Sequence, residues 1–140
     1  MTNEKLKQLL QKVDLKSCTP VVDNYIYYAK MPIRQRCYYG VNSYKYTVDG
    51  KEFLLIAENG VKQAIILRYD DGDLHWYVSK RWRNKHILSN ALRTGVVRKV
   101  WSDNSLVRCC YDFTDELPYG QKRELTKHLA DVAGVPFVED

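Results

Sequence analysis

Two of the three histidines, His75 and His86, bracket a run of cationic residues. Two imidazoles with a Lys or Arg could run ribonuclease-type cleavage of a phosphodiester, one ring taking a proton, one giving it, and the cation stabilising the pentavalent phosphate. The pair has no diagnostic spacing, and two polar residues beside an anion site are the plainer reading. His128 falls beside the stripe of an amphipathic helix and reads as a surface residue. Asp70, Asp71 and Asp73, with Asp103 brought in by the fold, offer oxygen ligands. Such a cluster more often does turn chemistry, the carboxylates bonding nearby backbone, and no fifth or sixth oxygen donor is apparent nearby. Cys18, Cys37, Cys109 and Cys110 contain no CxxC pair, so they read as small buried hydrophobes, reduced in a cytosol, rather than zinc ligands. None of the eleven tyrosines is singled out as a nucleophile, and there is no Walker loop, GxGxxG, HExxH or GxSxG. These residues assign no catalytic group, no metal and no cofactor.

The stronger chemical signal is for binding. Residues 74–102 hold no Asp or Glu but carry Lys80, Arg81, Arg83, Lys85, Arg93, Arg98 and Lys99. The whole chain is +5, with 22 basic and 17 acidic residues, so outside this stretch 15 basic residues face 17 acidic ones and the remainder is net −2. Trp76, Tyr77, Trp82 and Trp101 lie among the charges. Flat rings interleaved with cations suit anionic partners that carry rings, nucleic acid first among them. A second acid-free window, residues 24–48, holds Lys30, Arg34, Arg36, Lys45 and seven tyrosines. The candidate binding residues are Lys80, Arg81, Trp82, Arg83, Lys85, His86, Arg93 and Arg98, joined by Arg34 and Arg36 if the two windows share a face. The competing reading is that charge runs are solvated faces and strand tyrosines pack across strands.

Elements must position these groups. Leu6, Leu9, Leu10 and Val13 form one helical stripe and predict a helix over Asn3 to Val13. Val21 to Ala29 reads as a short strand. An antiparallel meander is predicted from Cys37 to Ser79: strands at Cys37 to Val48, Glu52 to Ala57, Val61 to Tyr69 and Leu74 to Ser79, turning at Asp49-Gly50, Asn59-Gly60 and Asp70 to Asp73. Its middle strands are apolar on both faces and need cover on both, from helices on one side and from a second subunit or the chain's own N-terminal segment on the other. Lys80 to Thr94 reads as a helix capped by Ser79 or Asn84 and stopped by Gly95. A start at Ser79 puts Trp82 on the polar face as a stacking platform; a start at Asn84 makes it a core plug, the favoured expectation because Trp is highly buried on average. Val96 to Trp101 and Leu106 to Phe113 read as a later hairpin, in which Arg98 and Lys99 point to opposite faces. Pro118 to Ala133 reads as a helix striped by Leu125, Leu129, Val132 and Ala133, and the tail Val135 to Asp140 as frayed.

The expected fold is therefore a single α+β domain over 1–140, with a mostly antiparallel sheet (a four-stranded meander plus a later hairpin) and N-terminal, middle and C-terminal helices. Element order is similar to that of small α+β folds such as type III secretion chaperone-like domains; the likeness is one of order alone and assigns no residue a role. The N-terminus has no apolar signal core and no run is long enough to span a membrane, so the expected location is cytoplasmic, with no membrane partner. The expected function is non-enzymatic docking on nucleic acid or a nucleoprotein, a class that includes phage-type inhibitors of nucleic-acid-handling defence enzymes. The expected partners extend to a protein partner and a homodimer. The alternatives are an oligomeric binder of a nucleotide or phosphorylated small ligand, and a metal-independent ribonuclease using His75 and His86.

Overall fold

A computed structural model describes residues 3–30, 51–102, 105–109 and 117–139. The order of elements is α1 (Asn3–Lys12), β1 (Thr19–Val22), β2 (Ile26–Lys30), β3 (Glu52–Glu58), β4 (Val61–Arg68), β5 (Leu74–Val78), α2 (Ile87–Leu92), α3 (Val96–Val100), β6 (Val107–Cys109), α4 (Tyr119–Ala133) and β7 (Phe137–Glu139). Short 3-10 turns lie at Leu15–Ser17 and Lys80–Trp82. Strands β1 to β5 form an antiparallel sheet in sequence order, and β6 and β7 form a separate parallel pair. The expected α+β class is what the chain adopts.

The turn chemistry explains the meander. Asn59 and Gly60 both take positive φ, 52° and 78°, which a two-residue turn between β3 and β4 requires. Asp70 to Asp73 turns β4 into β5: Asp71 Oδ1 accepts the Asp73 N–H at 2.9 Å, and Gly72 sits at φ 91°. The expected strand at Val21 to Ala29 is instead two strands, because Asp23 turns the chain at φ 43°. The expected Cys37 to Val48 strand and the Asp49-Gly50 turn lie outside the described residues.

The sheet is covered on both faces. Ile26, Leu54, Ile56, Ala64, Ile66 and Leu74 pack against α2, α3 and α4 through Leu88, Ala91, Leu92, Val96, Val97, Leu129, Ala130 and Ala133. On the other face, Phe53, Leu55, Ile65, Leu67 and Tyr77 pack against Leu6, Leu9 and Leu10 of α1. The cover on that face is thus the chain's own N-terminal segment. Lys62 locks it down, its ammonium donating to the carbonyls of Gln11 at 3.0 Å and Val13 at 2.5 Å.

Four expectations in the second half of the chain are corrected. Val96 to Trp101 is not a hairpin strand: Val96–Val100 is helix α3, with Val96 and Val97 fully buried. β6 therefore pairs not with that segment but in parallel with β7, Val107 opposite Phe137, so the tail expected to fray is ordered to Glu139. Lys80 to Thr94 is not one helix. It is the Lys80–Trp82 turn, a loop in which Asn84 and His86 both take positive φ (63° and 58°), and then α2. On α4 the buried face is Thr126, Leu129, Ala130 and Ala133, and Leu125 is 48% exposed.

Candidate functional site

The segment after β5 gathers most of the expected binding residues. Val78, the last residue of β5, pairs with Ala64, and the Ser79 N–H donates to the Gln63 carbonyl at 2.9 Å, so the segment leaves the sheet at a fixed point. Arg83 anchors it. Its Nε donates to the Val78 carbonyl at 3.1 Å, and its guanidinium lies 5.4 Å from the Tyr77 ring centroid. The left-handed backbone at Asn84 and His86, tolerated best by residues such as Asn, stops helix from propagating back through the segment. Its side chains therefore project from a turn and loop. Lys80, Arg81, Lys85, His86 and, at the end of α2, Arg93 are exposed; Trp82 is half-buried. The Arg81 guanidinium stands 4.9 Å and the Lys85 ammonium 5.3 Å from the centre of the Trp82 ring. Trp82 is thus neither fully exposed nor a core plug: it is a ring at the surface flanked by two cations.

Several arginines elsewhere are held by carboxylates, whereas the exposed cations of this segment, like Lys16, Lys30 and Lys127, are not, among the described residues. Ion pairs among the described residues include Arg68–Glu52 at 3.2 Å, Arg108–Asp73 at 4.0 Å and Arg123 with Glu124 and Glu139 at 2.9 and 2.6 Å. Among the described residues, Lys80, Arg81, Lys85 and Arg93 form none. Arg93 reaches only the Asn90 side-chain oxygen, at 3.4 Å.

Other expected members lie apart. Because α3 is a helix, Arg98 and Lys99 diverge by about 100°. Arg98 Nε donates to the Gly134 carbonyl at 2.7 Å, placing a positive charge at the C-terminal end of α4, and Lys99 Nζ donates to the Val21 carbonyl at 2.5 Å. Arg34 and Arg36 fall outside the described residues. Lys30 stands in the cross-strand row Lys30, Glu52, Arg68, Leu74, whereas β5 runs out into the basic segment at the row Ile26, Ile56, Ala64, Val78. Lys30, the described cation of the 24–48 window, is thus at the opposite end of the sheet, about 13 Å along the strands at the usual strand rise.

The two histidines are separated in the same way. His75 is on the α1 face of β5, its Nε2 2.8 Å from Asp73 Oδ2 and its ring edge-on to Tyr69 at 4.5 Å. His86 precedes α2, which packs on the opposite face of the sheet, so the fold does not bring the two rings together.

Asp73 does more than turn chemistry. Nearly buried, it also accepts the Arg108 N–H at 3.0 Å, tying β6 to the β4–β5 turn. The parallel bridge from Asp73 to Leu106 makes this junction visible only in three dimensions. Among the described residues, no group of three His, Cys, Asp or Glu side chains is placed to hold a metal ion. Cys18 is half-buried, and burial pushes its thiol pKa up, which suits a packing role. No helix among the described residues is long and apolar enough to cross a membrane.

Comparison with models of known protein families, with curated proteins and with solved structures found no match.

Proposed function

We propose that this protein is a non-enzymatic module that docks on nucleic acid or on a nucleoprotein, through Lys80, Arg81, Trp82, Lys85, His86 and Arg93. The observation that supports this most is the Trp82 ring with two cations at it, in a segment whose exposed Lys and Arg form no ion pairs among the described residues. Lys80, Arg81, Lys85 and Arg93 are exposed, close in sequence and without ion pairs among the described residues, so together they concentrate a positive potential that suits phosphates. Phosphate contacts would supply affinity and the ring would supply stacking. In this reading Arg83 positions the segment, being held by Val78 and Tyr77. A protein that occupies a nucleic-acid-handling enzyme by engaging its bound strand, as a counter-defence inhibitor would, uses the same surface.

The test is fluorescence anisotropy of labelled DNA and RNA at increasing salt. Binding should fall steeply on a log–log plot, and Arg81→Glu with Lys85→Glu should weaken it and reduce the slope by about 0.7–0.9 for each phosphate no longer neutralised. An unchanged slope in the double variant would remove this surface from the binding site.

A further inference from the structure

The shape of the segment narrows the ligand. We infer that the polymer bound by this surface is single-stranded, an inference that rests on the reading just given. Reading a duplex requires an element that fits the major groove, a helix or a two-stranded ribbon. The cations here project from a 3-10 turn of three residues and a loop; α2, which follows, has six residues and contributes only Arg93 at its end. Trp82 is the second consideration. In a duplex the base faces are already stacked on one another, so a ring can reach one only by wedging steps apart or extruding a nucleotide, at an expense of a few kcal/mol. In a single strand every base offers a free face, and the ring's contribution is gained without that expense. Arg81 and Lys85 stand over the ring at 4.9 and 5.3 Å, so a stacking base takes the place of one of these long, exposed side chains, and the displaced cation turns to the adjoining phosphate. Arg83, fixed to β5 and Tyr77, holds the ring in place before the strand arrives, so little ordering remains to be done on binding.

The measurement compares one labelled oligonucleotide, single-stranded and annealed to its complement, titrated with the full chain and with Trp82→Ala and Trp82→Phe. The single strand should bind more tightly than the duplex. Trp82→Ala should weaken single-strand binding by about 5- to 150-fold, the loss of one stacked base, and leave residual duplex binding nearly unchanged. Trp82→Phe should keep most of the affinity, since Phe also stacks, while abolishing the tryptophan quenching that accompanies strand binding. That second variant separates loss of stacking from loss of fold. Equal or tighter duplex binding, or single-strand binding indifferent to Trp82→Ala, would overturn the single-strand inference and leave the electrostatic reading standing. No salt-sensitive binding to either form would overturn both.

Discussion

At the scale of single residues, the chain separates charges used to hold the fold from charges left at its surface. Glu52 shows the first kind. It takes the Tyr28 hydroxyl on Oε1 at 2.6 Å and Arg68 on Oε2 at 3.2 Å, linking β2, β3 and β4. Burial works against its charge. The hydrogen bond from Tyr28, the nearby Trp101 N–H and the Arg68 charge more than offset this and hold its carboxyl below the ordinary value of 4.5. The Trp101 Nε1–H, buried without a well-formed hydrogen bond, still lies where it favours the carboxylate. Tyr28 moves the other way: burial first, then donation to Glu52, pushes its hydroxyl up to about 12. The signs follow. A carboxyl lowered by folding stabilises the fold above its unfolded value, and that stability is lost as pH falls through the folded value. Glu52→Gln should therefore lose about 1–2 kcal/mol at pH 7, the worth of a partly exposed charged hydrogen-bond pair. The gap should close as pH drops below about 4.5. Urea midpoints of both proteins at pH 7 and pH 3 check this, and a gap of equal size at both would mean that the carboxylate's charge contributes nothing.

At the scale of elements, the turns are legible in the sequence and the long-range partners are not. Asn59-Gly60 announces its hairpin because those two residues, almost alone, accept positive φ in succession. Val-Val-Arg-Lys-Val at 96–100 misleads because β-branched residues suggest a strand. Its apolar positions, Val96, Val97, Val100 and Trp101, are equally a helical spacing, and packing decides for the helix by burying the first two completely. The β6–β7 pairing joins segments some thirty residues apart with no local turn to signal it. The basic segment is legible in composition but not in shape, because two left-handed residues, Asn84 and His86, break what periodicity reads as one helix. On α4, Leu125 has the type and spacing of a core residue, yet the helix turns Thr126, Ala130 and Ala133 inward, where small side chains let α2 and α3 approach. Leu129→Ala should accordingly destabilise the fold by about 2–5 kcal/mol, as truncation of a fully buried leucine does. Leu125→Ala should stay within about 0.5 kcal/mol. Equal effects in chemical denaturation would mean that the helix is rotated from the orientation described.

At the scale of the whole molecule, the sheet is a shared wall between two cores, and a ten-residue helix closes one of them. Phe53, Leu55, Ile65 and Leu67 are at most 1% exposed, and Leu6, Leu9 and Leu10 of α1 are what they pack against. Among the described residues one helix covers this face, against three on the other, so its closure depends on three leucines and on the Lys62 ammonium that grips the end of α1. Each fully buried leucine contributes about 1.5–3 kcal/mol through the water it excludes. Removing residues 1–13 would therefore take away several kcal/mol and open a continuous apolar face larger than monomeric proteins usually expose. The truncated chain should self-associate or precipitate, with size-exclusion chromatography and light scattering showing dimers or larger species at concentrations where the full chain does not associate. The basic segment leaves the sheet on its own anchors, Arg83 to Val78 and Ser79 to Gln63, and so should keep its salt-sensitive binding in any truncated material that stays soluble. A truncated chain as soluble and as monomeric as the full one would mean that the α1 face is closed by something other than those leucines.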